Sequence, residues 1–127
     1  MDISIRTNSH EPVYEQIVRQ IHDGVRSGEL AAGAQLPPVR QLAGDLHLNR
    51  NTVARAYKTL EQQGVIRTGS KGAFVHLDAS TAVTQTKHRR AHRVARTMIQ
   101  ALLADGLSID EIFGVFNEAV RLQRRGA

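Results

Sequence analysis

Only His47, Leu48 and Asn49 separate two short amphipathic segments in this chain, and that spacing limits its fold more than any other feature. In the first segment Val39, Leu42, Ala43 and Leu46 recur at helical spacing. Pro37 and Pro38 stand just ahead of it, where a missing N–H costs a helix little. In the second, at ~100° per residue, Val53, Ala56, Tyr57 and Leu60 share one apolar sector. Asn51, Arg55 and Lys58 fall on the opposite side, with Ala54 and Thr59 at its margins. Asn49 is placed to cap the second helix, its side chain accepting from an early backbone N–H. A connection this short between two helices has the length of a helix-turn-helix. Gly64 then ends the second helix. Val65-Ile66 and Phe74-Val75 flank the turn-rich Thr68-Gly69-Ser70-Lys71-Gly72, which predicts a hairpin, or wing.

The second helix separates a packing face from a cationic, amide-bearing one. Polar residues opposite an apolar stripe occur on any surface helix. Here, though, the caps, the turn length and the hairpin all belong to the same unit. Asn and Arg on such a helix can make bidentate hydrogen bonds to adenine and guanine edges in a DNA major groove. At the hairpin tip, Lys71 could meet a phosphate while Gly72 lets the backbone come close. Alternatively the glycines only permit the turn and Lys71 is solvated. Arg67 lies at the wing's base. Arg40, on the first helix of the motif, either faces the DNA backbone or pairs with Asp45 at little energetic gain.

These residues resemble the GntR family of bacterial transcription regulators. The resemblance is carried by LPPVRQLA at 36–43, NRNTVARAYKTLEQQGVI at 49–66 and KGAFV at 71–75. PVYEQIVRQIHDGVRSGELAAGAQL at 12–36 is similar to that family's first helix and short exit strand. The resemblance spans roughly the first 76 residues and implies a winged helix-turn-helix. It also implies DNA contacts by the arginines at Arg40 and Arg50. Ala54 departs from relatives that carry a long polar side chain there, so their contact pattern does not transfer whole. The candidate DNA-binding set is Arg40, Asn49, Arg50, Asn51, Thr52, Arg55, Lys58, Lys71 and Gly72. The short remainder is similar to the YtrA-type subgroup, in which a small helical segment replaces a large effector domain. For that family, repression by occluding a promoter is the default implied, and YtrA-type relatives often control transport operons.

Around this unit the chain is organised simply. Ile3 and Ile5 alternate with polar neighbours, as in a short strand or an extended arm. Pro12 opens a helix carrying Val13, Tyr14, Ile17, Ile21 and Val25, with Gly28 at its end. The winged domain is expected over 1–77, with a core of Ile17, Ile21, Leu42, Val53, Leu60 and Val75. A helical region is expected over 78–127. Asp78-Ala79-Ser80-Thr81 reads as a linker or the start of a helix whose stripe is Ala91, Val94, Ala95, Met98 and Leu102, ending at Gly106. Ser108 and Glu111 form an S-x-x-E capping box for a last helix bearing Ile109, Ile112, Phe113, Phe116 and Val120. Two such helices cannot cover both stripes in one thin hairpin, so a two-fold homodimer is expected. Its interface would draw on Val94, Met98, Leu102, Ile109, Ile112, Phe113, Phe116 and Val120. The other reading packs both stripes back onto the winged domain. The fold class is thus α+β and mostly helical, a winged helix-turn-helix followed by a two-helix dimerisation element.

Composition narrows the function classes. A net charge of +5 and a pI near 10.4 favour a polyanionic partner, here double-stranded DNA. With no cysteine, neither disulfides nor thiol chemistry is available. No apolar run approaches the ~20 residues that span a bilayer, and no signal-peptide pattern opens the chain, so a cytoplasmic protein is expected. The basic run Lys87-His88-Arg89-Arg90-Ala91-His92-Arg93 could touch flanking phosphates, or simply be a solvated face. His88 and His92 have metal-compatible spacing, but cationic neighbours and the lack of a nearby Cys or carboxylate argue against a metal centre. No phosphate-binding glycine loop, nucleophile or paired carboxylate indicates an enzyme or a cofactor. Two alternatives stay open, a non-specific architectural DNA protein and a dimeric protein-interaction adaptor. The operator, the regulated genes and the direction of regulation are not written in these residues, nor is any inducing signal or small-molecule effector.

Overall fold

The computed structural model describes residues 1–126, which form five helices and a small sheet. In chain order these are α1 (Val13–Ser27), β1 (Gln35–Leu36), α2 (Val39–Leu46), α3 (Arg50–Gln62), β2 (Ile66–Gly69), β3 (Gly72–Val75), α4 (Ala79–Ala104) and α5 (Ile109–Gly126). The chain divides into two compact units, Met1–Thr86 and Lys87 onward.

Local signals set most boundaries in the first unit. Pro12 and Pro38 occupy the positions just ahead of α1 and α2. Gly28 ends α1 at φ 85°, a left-handed conformation that a residue without Cβ adopts cheaply, and its N–H reaches the Val25 carbonyl. The turn between α2 and α3 is unusual in placing a non-glycine, His47, in that conformation at φ 55° and ψ 44°. Asn49 caps α3 as expected, its Oδ1 accepting from the Asn51 N–H at 2.8 Å.

In the first unit α1, α2, α3 and the sheet enclose a core. Ile17, Ile21, Leu36, Val53, Leu60, Val65, Ile66 and Val75 are buried, as is Leu42, so every core residue expected from periodicity lies inside. Burying an aliphatic side chain of this size stabilises by roughly 1.5–3 kcal/mol. The wing is an antiparallel hairpin in which Ile66 pairs with Val75 and Gly69 with Gly72. β1 adds on the other side of β3 through Gln35–Phe74 and Leu36–Ala73, giving the order β1-β3-β2. The core does not stop at the hairpin: Ala79 and Val83, on the first turns of α4, are buried with it. The compact units divide within α4.

The N-terminal segment is an extended arm and not a strand. Ile3 and Ile5 pack against the core, and two glutamines one turn apart on α1 bind the backbone between and beyond them. Gln20 Oε1 accepts from Ser4 N–H and its Nε2 donates to Ser4 O. Gln16, only 2% exposed, accepts from Arg6 N–H at 2.8 Å and donates to the carbonyls of Arg6 and Glu11 at 2.8 and 2.9 Å. The amides thus do the work of a neighbouring strand.

In the second unit, α4 continues to a turn closed by Gly106, and the capping box forms as its sequence predicts. Ser108 Oγ accepts from Glu111 N–H while Glu111 Oε1 accepts from Ser108 N–H. Ile112 is only 4% exposed, whereas Phe113 is 69% and Ile109 63% exposed.

Candidate nucleic-acid interface

Packing fixes the orientation of α3 before any of its polar groups is considered. Val53, Ala56, Tyr57 and Leu60 are buried, which turns Arg50, Asn51, Ala54, Arg55 and Lys58 toward solvent. Thr52 is half-buried beside them. The Tyr57 hydroxyl donates to the Pro37 carbonyl at 2.6 Å, tying α3 to the segment ahead of α2. Burial pushes the Tyr57 phenol up to about 12, so it stays a protonated donor. At the far end of the helix, His22 Nε2 lies 2.7 Å from Gln63 Oε1, and burial holds the imidazole below its ordinary pKa.

The structure adds a partner that spacing along one helix could not reveal. The Arg55 guanidinium stacks on the Tyr14 ring of α1, 3.8 Å from its centroid. Stacking engages the face of the guanidinium, while its N–H donors lie in its plane. The aromatic ring therefore orients Arg55 without consuming its hydrogen-bonding capacity.

Arg40 is exposed on α2, and no ion pair joins it to Asp45 among the described residues. Asn49 is committed through its Oδ1 to the cap, leaving its Nδ2 as the side-chain group free of that role. Lys71 is exposed at the two-residue tip of the wing. Gly72 has φ 121°, and a Cβ there would come 3.0 Å from Gln35 Nε2. That same Nε2 donates to the Lys71 carbonyl at 3.3 Å, so β1 braces the tip. Arg67 lies over the Phe74 ring it pairs with across the hairpin. Thr68 donates to Glu61, linking the wing to the end of α3. Tyr14, Gln35 and the Glu61–Thr68 pair are supporting residues that pattern reading missed, because each acts across elements. Among the described residues no group of three His, Cys, Asp or Glu side chains is arranged to hold a metal.

Residues 13–75, which span α1 through β3, match the model of bacterial regulatory proteins of the gntR family. An HTH-type transcriptional regulator of Mycobacterium tuberculosis is 37% identical over 98 residues, covering 76% of this chain and 81% of its own length. The chain belongs to the GntR family. Within it the resemblance is to the YtrA-like regulators. The transcriptional repressor YtrA of Bacillus subtilis is 38% identical over 86 residues, covering 67% of this chain and 66% of its own. The solved structure of YtrA from Sulfolobus acidocaldarius, a GntR-family transcription factor, is 31% identical with a TM-score of 0.58, and the match covers 94% of this chain and 97% of that one. The winged fold is thus that of a GntR-type DNA-binding transcription regulator. No described helix is long and apolar enough to cross a membrane.

Proposed function

We propose that this GntR protein is a repressor that binds a palindromic operator as a homodimer, reading each half-site with α3. The observation that carries the reading is the α3 surface: Asn51, Arg55 and Lys58 project together from a helix whose other face is locked into the core, and Arg50 is exposed at its N-terminal end. Arg50 and Asn51 lie at its N-terminal end, the part of a recognition helix that meets base edges. Arg40, Asn49, Thr52, Lys71 and Gly72 complete the contact set, with Lys71 on phosphate. The name of its Bacillus relative supports repression.

The helical region 78–127 is the dimerisation element on this reading. Val94, Met98, Ile109, Phe113 and Val120 are exposed in the single chain, and Leu102 and Phe116 are half-buried. Ile112 is already covered within its own chain, so it supports the interface from beneath and offers little surface itself. Apolar side chains left open on adjacent helix turns favour a two-fold pairing. Joining two winged units makes the second half-site contact intramolecular, which raises affinity through effective concentration.

Sedimentation combined with binding to a palindrome and to a single half-site, both drawn from selection on random DNA, tests the proposal. The expected result is a dimer that prefers the palindrome strongly. Phe113→Asp should dissociate it, since its charge would be buried without a partner, and should abolish the preference while the winged unit stays folded. A wild-type protein that is monomeric at micromolar concentration and binds both DNAs equally refutes the model.

A further inference from the structure

The charge of this chain is distributed unevenly. α4 contains Lys87, Arg89, Arg90, Arg93 and Arg96 and no acidic residue along its length. Those five cations match the whole net charge of +5, so the other twelve Lys and Arg are balanced by the twelve acids. The unit that carries α3 and the wing is nearly neutral, with nine basic and eight acidic residues through Thr86. The positive field expected of a DNA-binding protein therefore originates largely on α4, outside the winged helix-turn-helix.

Helical geometry sorts these cations. At ~100° per residue, Arg89, Arg93 and Arg96 fall within a narrow arc, with His92 beside it. Val94, Met98 and Leu102 fall on nearly the opposite side of the helix. All three arginines are exposed. They rise over ~10 Å, a length of duplex that carries about six phosphates. A dimer that covers the apolar stripe leaves this basic stripe facing out.

We propose that the Arg89-Arg93-Arg96 stripe is a second DNA-binding surface, which holds the phosphate backbone of the DNA flanking the base pairs read by α3. It takes phosphate without reading sequence, and supplies affinity and salt dependence while α3 supplies preference. The inference rests on the DNA-binding reading above, and its failure has a separate signature.

The test compares wild type, R93Q/R96Q and R93K/R96K on a selected operator. One DNA ends at the outermost base pairs recognised and the other carries long flanks. Glutamine and lysine both suit an exposed helix, so helicity and sedimentation mass should match wild type. On the flanked DNA, R93Q/R96Q should lose about two phosphate contacts per protomer. Its affinity should then fall between 50 and 200 mM salt by roughly 12-fold less per protomer than wild type does. R93K/R96K should restore the wild-type slope. Trimming the flanks should weaken wild type and leave R93Q/R96Q nearly unchanged, with base preference the same throughout. Equal salt slopes and equal flank dependence for wild type and R93Q/R96Q overturn the proposal, and would point the stripe toward an acidic protein or an anionic membrane instead. A wild-type protein with no base preference on either DNA would be failure of the operator reading, which is a different result.

Discussion

Replacing Gln16 by Met should free the N-terminal arm while leaving the helix beneath it intact. Met fills about the same space on α1 but can neither donate nor accept as the amide does. Three backbone groups lose their partner: Arg6 N–H, Arg6 O and Glu11 O. At about 0.5–1.5 kcal/mol net for each hydrogen bond, the ceiling is about 4.5 kcal/mol. Two effects lower it. The released backbone can turn to water and escape the penalty of unpaired burial, and Met gains some apolar contact. Loss of the partial burial of Ile3 and Ile5 works the other way, leaving about 2 kcal/mol as the expected destabilisation. Urea unfolding should show this as a lower midpoint with little change in slope. Native-state hydrogen exchange should show loss of protection at the Arg6 amide, with α1 amides unaffected at their centre. Gln16→Glu should cost more at neutral pH, because a carboxylate would face two carbonyl oxygens. If Gln16→Met is as stable as wild type and keeps the Arg6 amide protected, the amide is not what holds the arm.

The other expectations can be tested more briefly. Arg50→Ala should cost about 1–3 kcal/mol on the selected operator and relax base preference, whereas Lys71→Ala should weaken binding to all sequences alike; an Arg50→Ala protein with unchanged preference would count against α3 as the reader. His47→Gly should stabilise the turn by about 0.5–1 kcal/mol, since glycine relieves the left-handed backbone seen at φ 55°, and a lowered unfolding midpoint would show that the imidazole contributes more than its backbone costs. His22 is held below its ordinary pKa of 6.5, chiefly by burial. Its contribution to stability is therefore complete above pH 6.5 and lost as pH falls through the depressed folded value, because the unfolded chain takes up the proton first. An NMR titration placing the His22 ring at or above 6.5 would contradict this.

How legible each element was depended on the range of the interaction that makes it. The Asn49 cap, the Gly28 terminus and the Ser108–Glu111 box need only residues a turn apart, so their sequence patterns are complete statements of their geometry. The apolar stripe of α3 likewise identified its exposed face. The Gln16 clamp was not legible, because a glutamine on a helix reads as surface until a distant strand-like segment is laid against it. β1 was hard to bound, since its two residues are defined by pairing with Ala73 and Phe74. Ala79 and Val83 looked like the start of a separate region, and only the assembled core shows that it needs them. Ile112 and Phe113 are neighbours and both large and apolar, and periodicity alone does not say which one its own chain covers.

The Arg55–Tyr14 stack joins two parts of the protein in descent as well as in space. On the reading proposed above, the protein would change its target by changing the side chains of α3, Arg55 among them. Here that side chain is steered by a ring on another helix, so the two positions are not independent letters. A lineage that replaces Arg55 by a short side chain removes the reason for an aromatic at position 14. One that loses Tyr14 first keeps the arginine but loses its aim. Among descendants of this gene the two substitutions should therefore arrive together, and on the proposed reading a shift in operator preference should leave its trace on α1, far along the sequence from α3.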